Sequence, residues 1–207
     1  MMEGKEERGL GKEQKKGQMT VALVKALLSA LKKRTVVGDV GQWKCNYVLE
    51  KRVGDIDACK NVDERLAFLR TEPYEKLEGE DNCLLNSGIN EIWDLVTGVV
   101  SGASHIFDNT HAQIGVGDSS AAANATQTDL QAAVNKTYKG MEATFPTSTT
   151  QKATFKSSFG SSEANYEWNE WVVKQSTSTK CINRKVDAMG TKASGSTWTL
   201  EVTITLS

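Results

Sequence analysis

At 207 residues, with 39% hydrophobic residues, five tryptophans and two prolines, the chain can form one or two domains around a real core. Its net charge of −1 excludes a chain that is basic throughout, so no nucleic-acid partner is expected. The charge is unevenly placed. Residues 1–34 carry nine Lys/Arg against four Asp/Glu, whereas residues 35–80 and 81–207 are each net −3.

Residues 1–18 are polar and broken by Gly4, Gly9, Gly11 and Gly17, which predicts a flexible arm. The first eight residues lack the apolar run of a secretion signal. Thr20 can cap a helix in which Val21, Val24, Leu28 and Leu31 recur at three and four residues. Lys32, Lys33 and Arg34 close it at the end where cations suit the helix dipole. The apolar run is too short to span a bilayer and contains Lys25, so no membrane partner is expected. Two readings stand for this helix: it packs within the molecule, or it docks on a partner. The second makes Val21, Val24, Leu28, Leu31, Lys32, Lys33 and Arg34, together with Trp43, the candidate partner-binding residues.

Residues 43–50 alternate as a strand, with Trp43, Cys45, Tyr47 and Leu49 on one side. Asn61-Val-Asp-Glu64 resembles a capping box before a short helix that Pro73 should stop. Residues 71–82 are acidic and predicted to be a loop. A domain boundary placed there gives an arm at 1–18, an α+β extension at 19–80 and a β domain at 81–207.

Asn86 can cap a second helix with Ile89, Ile92, Trp93 and Val96 on its apolar face and Gly98 as its C-terminal stop. A strand is predicted at Ala112–Val116, a turn at 115–120, and a small capping box at Thr126–Asp129 before a short helix near Leu130. Strand signals fill the rest: Tyr138 to Phe145, Ala153 to Ser157, Tyr166 to Val172, Cys181 to Val186, and Trp198 to Ser207. The last is the cleanest. Trp198, Leu200, Val202, Ile204 and Leu206 share one face, and threonines and Glu201 occupy the other. The fold class is mainly β, an antiparallel sandwich of jelly-roll type with a helical, mixed N-terminal extension.

Catalytic signals are sparse. Cys45, Cys59, Cys83 and Cys181 are widely spaced and read as free thiols. His105 and His111 have no further ligand at metal-site spacing, and Asp118 alone does not define a calcium site. Gly115-Val-Gly-Asp118 lacks the lysine of a phosphate loop, so its glycines are read as permitting a tight turn. Glu163, Glu167 and Glu170 are read as a solvated face. Trp168 and Trp171 differ in parity, so a regular strand buries at least one of them and cannot offer both to a sugar. No cofactor, no metal and no enzymatic activity are expected.

Several stretches resemble small virion proteins of tailed phages and prophages: Leu84-Leu-Asn-Ser-Gly-Ile-Asn-Glu-Ile-Trp93, Ile114-Gly-Val-Gly-Asp-Ser-Ser120, Ala125-Thr-Gln-Thr-Asp-Leu130 and Phe159-Gly-Ser-Ser-Glu-Ala-Asn-Tyr-Glu-Trp-Asn-Glu-Trp171. The resemblance continues through Ile182-Asn-Arg-Lys-Val186, Gly190-Thr-Lys192 and the terminal strand, and so spans residues 84–207. It implies a non-enzymatic structural protein on the virion surface. The leading expectation is a decoration (cement) protein that binds the major capsid protein as a homo-oligomer, most simply a trimer. The alternative is a tail or fibre component that binds host glycan.

Overall fold

The computed structural model describes residues 43–206. Two five-stranded sheets pack face to face. The first runs in the order β2 (Glu75–Glu80), β1 (Trp43–Val53), β10 (Ser196–Leu206), β7 (Lys152–Phe159), β6 (Thr147–Thr149). The second runs β3 (Cys83–Leu84), β9 (Cys181–Thr191), β8 (Glu167–Gln175), β4 (Ala112–Gly117), β5 (Lys136–Gly140). Every pairing is antiparallel, and the expected mainly-β sandwich is the fold.

The terminal strand forms the middle of the first sheet, between β1 and β7. Its dry face, Trp198, Leu200, Val202 and Ile204, is buried against the second sheet. Its other face is not uniformly wet. Thr197 Oγ1 accepts from Ile56 N at 3.0 Å and donates to Gly54 O at 2.9 Å, so the 3-10 turn Ile56–Ala58 covers that end. Thr199 is buried beside Ser158, with which it shares a hydrogen bond at 3.0 Å.

Tryptophans fill the space between the sheets. Trp168 meets both Phe159 and Trp198 edge-on at 4.9 Å between ring centroids, and Trp171 meets Tyr47 at 5.6 Å. Both Trp168 and Trp171 therefore face the core, which a regular strand forbids. A register shift between Trp168 and Glu170, where β8 pairs with β9, restores the second indole to the inner face.

The boundary expected at 71–82 is corrected. All eleven residues of β1 pair with β10, β2 pairs with β1, and residues 43–206 belong to one compact unit. The acidic stretch read as a loop is instead the edge strand β2, and charge on an exposed edge blocks unwanted pairing. The capping box at Asn61 holds. Asn61 Oδ1 accepts from Glu64 N at 2.9 Å, and α1 (Val62–Leu69) follows and ends before Pro73. The helix expected near Leu130 does not form. Its capping residue Asp129 is drawn instead to the Lys174 ammonium and the Tyr138 hydroxyl.

Candidate interaction surface

Residues Val21, Val24, Leu28, Leu31, Lys32, Lys33 and Arg34, and the helix predicted from Thr20, lie outside the described residues. Trp43 is described. It begins β1 opposite Leu206, packs against the core, and its Nε1 donates to Asn82 Oδ1 at 2.9 Å.

The second helix, α2 (Asn86–Thr97), is present, but its rotation differs from the expected one. Its N-cap is Leu85, whose side chain makes no cap; the helix start is tied by Leu85 N to Ile182 O at 3.0 Å and by Asn86 N to Ala125 O at 2.8 Å. Gly88 lies against β9 so closely that a Cβ there would sit 2.5 Å from the Ile182 backbone. That close approach turns Gly88 and Glu91 towards the body, and Ile92 packs on the core. Glu91 is buried and pairs with His105 Nδ1 at 2.7 Å, which anchors the loop after the helix. Gly98 ends α2 in the left-handed conformation at φ 72°, as expected.

The outward side is the opposite of a solvated helix face. Trp93 is 61% exposed, Val96 70% and Val99 73%, with Ile106 beside them in sequence on the following loop at 38%. Scattered exposed apolar residues are ordinary; Trp93 and Val96 share one face of α2 at helical spacing, and Val99 follows just past the left-handed Gly98 that ends the helix. Sequence periodicity finds such a stripe but not whether anything covers it. A second signal was available. Residues 77–135, which include α2 and its flanks, contain no lysine or arginine and eight acidic residues.

The remaining polar clusters are tied into the fold. Glu170 and Arg184 form a completely buried ion pair at 2.7 Å. Glu170 also accepts from Gln131 N at 2.9 Å and Ala132 N at 2.7 Å, and Arg184 donates to Gln127 Oε1 and Ala121 O. Together they pin residues 121–132 over the outer side of the second sheet, so the solvated face expected for Glu163, Glu167 and Glu170 is corrected at Glu170. Glu163 is bound by Lys139 at 2.6 Å, and only Glu167 is exposed. Gly115 and Gly117 lie within β4, not in a tight turn. A Cβ at 115 would strike the Tyr138 ring at 2.6 Å, and one at 117 would strike Glu170 Oε1 at 2.6 Å. Asp118 accepts from Asn135 Nδ2 at 2.7 Å.

At one end of the sandwich Arg65 grips Glu142 through two hydrogen bonds of 2.6 and 2.7 Å and touches Asp57 at 3.4 Å. Beside it a cleft of about 200 Å³ is lined by Val62, Leu66, Leu69 and Phe145. Lys192 is buried and donates to Gly160 O at 2.7 Å and Asn165 Oδ1 at 2.9 Å; burial lowers its pKa. Burial likewise raises the Cys45 thiol to about 12, and all four cysteines are free. His111 pairs with Asp108 at 2.7 Å, so each histidine holds a carboxylate and neither hydrogen-bonds a nucleophile among the described residues. Also among the described residues, no group of three or more His, Cys, Asp or Glu is placed to hold a metal ion, and no helix is long and apolar enough to cross a membrane.

Comparison of the chain with protein families, with curated proteins and with solved structures finds no match.

Proposed function

We propose that this chain is a non-enzymatic structural protein of a tailed-phage virion, a decoration protein that binds the major capsid protein on the head surface. The observation that carries the reading is the uncovered pair Trp93 and Val96 on a helix locked to a stiff sandwich, with exposed Val99 just past the helix end. A large indole held out of the core by a rigid scaffold is the anchor that protein interfaces use. The resemblance across residues 84–207 supplies the virion context. Binding would be mechanical: each subunit buries apolar surface against coat subunits and stabilises the expanded shell by mass action. Self-association into a small cyclic oligomer, most simply a trimer, fits such a role.

The test is co-sedimentation of the purified protein with expanded, protein-only heads. Saturable binding by wild type that is lost in Trp93→Ser supports the reading. Absence of binding, with retention on host-surface glycan instead, would transfer the protein to the tail or fibre, where the exposed indole would stack on sugar.

A further inference from the structure

We propose that Lys192 and Asn165 join in a covalent isopeptide bond, which the folded chain forms with loss of ammonia. Among the described residues, every other buried charged side chain faces a group of opposite sign: Lys51 has Glu75, Arg52 has Glu50, Arg184 has Glu170, Glu142 has Arg65, and Glu91 has His105. Lys192, 1% exposed, has two neutral acceptors instead, Gly160 O at 2.7 Å and Asn165 Oδ1 at 2.9 Å. An ammonium brings three N–H donors and a charge to such a place; a neutral amine brings two donors and a lone pair. Burial favours the neutral form and lowers the pKa, although Glu163, Asp55 and Asp57 pull the other way. An uncharged amine against a carboxamide is a nucleophile against an electrophile.

Both partners are held in place. Lys192 N donates to Tyr166 O at 3.0 Å, which fixes its backbone beside Asn165. Asn165 Nδ2 donates to Ser161 O at 2.9 Å, and Oδ1 is left to the amine. The preceding residue, Ala164, is held at a left-handed φ of 50°, and its carbonyl accepts from Tyr166 N and Trp168 Nε1, both at 2.9 Å. Asp55 Oδ1 secures Ser161 N at 2.9 Å, and Glu163 Oε2 secures Gly160 N at 2.9 Å. A hydrogen bond to Oδ1 of that length sets Nζ about 3–4 Å from Cγ, close to the roughly 3–3.5 Å of a near-attack arrangement. Rotation about the terminal Cε–Nζ bond turns the lone pair to Cγ. The Nζ–Cγ bond then forms, the Cγ–Nδ2 bond breaks, and a proton passes from Nζ to Nδ2, which leaves as ammonia. One amide replaces another, so no oxidant, reductant or other co-reactant is needed. Asn165 lies at the surface, where water can relay the proton and the ammonia escapes. The link ties the residues just outside β8 and β9 and so closes the open end of that hairpin. It is a property of the single chain and stands whether or not the protein binds a head.

The experiment is mass spectrometry on the full chain, kept folded at neutral pH until its mass is constant and then denatured. The expected mass is short of the sequence mass by one ammonia. Trypsin should then fail to cut after Lys192 and should release residues 157–174 joined to residues 186–207. Lys192→Met and Asn165→Ala should each show the full sequence mass. An unmodified wild-type mass overturns the proposal. So does deamidation of Asn165 to the acid, or an ammonia lost to a succinimide within one peptide, which leaves Lys192 open to trypsin. The wild-type result decides by itself, even if a variant fails to fold.

Discussion

Replacing Glu170 with Gln removes one charge from the Glu170–Arg184 pair, in which both side chains are completely buried. The carboxylate accepts three hydrogen bonds: Ala132 N on one oxygen, and Gln131 N and the Arg184 Nε on the other. An amide has one acceptor and one donor, so its NH2 must face at least one of those donors. The Arg184 guanidinium would also remain buried without a counter-charge. Breaking such a pair from one side costs about 3–5 kcal/mol, a large share of the roughly 5–15 kcal/mol that holds a domain together. Arg184→Met should cost a similar amount, because it strands the carboxylate.

The double variant Glu170→Gln/Arg184→Met removes both charges and should cost well under the sum of the two singles. Urea unfolding followed by tryptophan fluorescence measures all three, since Trp168, Trp171 and Trp198 are core residues. Hydrogen exchange should rise first in residues 121–132, whose backbone the pair holds. A cost below about 1 kcal/mol for Glu170→Gln, or effects that add to within about 0.5 kcal/mol, would refute the reasoning.

Gly88→Ala should push α2 off β9 and cost about 1–3 kcal/mol by thermal unfolding, because its Cβ meets backbone and not a movable side chain. Trp93→Ser should leave stability within about 0.5 kcal/mol while abolishing partner binding, a separation that a packing role for this indole would not produce. In the native protein, iodoacetamide at mildly alkaline pH should label Cys59 and Cys83 but spare Cys45 and Cys181, which are buried with raised pKa values; all four should label in denaturant. Burial alone would raise the Asp129 carboxyl, but the Lys174 ammonium, the Tyr138 hydroxyl and the Leu130 N–H outweigh it and hold the group below its ordinary value. A depressed folded-state pKa contributes stability above the unfolded value and loses it as the pH falls. The stability gap between wild type and Asp129→Asn should therefore be full at neutral pH and close below about pH 4, as measured by urea unfolding across pH.

What could be read from the chain divides along the line between local and non-local forces. β10 was legible because one dry face and one polar face impose a strict period of two, whatever the strand pairs with. The Asn61 cap was legible because its donor is three residues away. Glu170 was not, because its partner Arg184 stands on the adjacent strand and the backbone it holds comes from a third segment. That Trp168 and Trp171 share one face was not legible for a related reason, although burial of at least one of them was: a register shift depends on how two strands pair, which parity along one strand does not encode.

The candidate surface shows the same division within a single helix. The existence of α2 and its stop at Gly98 follow from local sequence, but its rotation is set by the contact of Gly88 with the Ile182 backbone, 94 positions along. Turning the sheet side to Gly88 and Glu91 leaves Trp93 and Val96 outside. A mutated chain that evaded this rotation could bury the indole only by separating Glu91 from His105 and lifting the helix from β9. The exposure of Trp93 is thus a consequence of how α2 is anchored, and a protein that keeps such an anchor holds an apolar surface towards solvent at a steady cost in solubility. A partner that covers the stripe removes that cost.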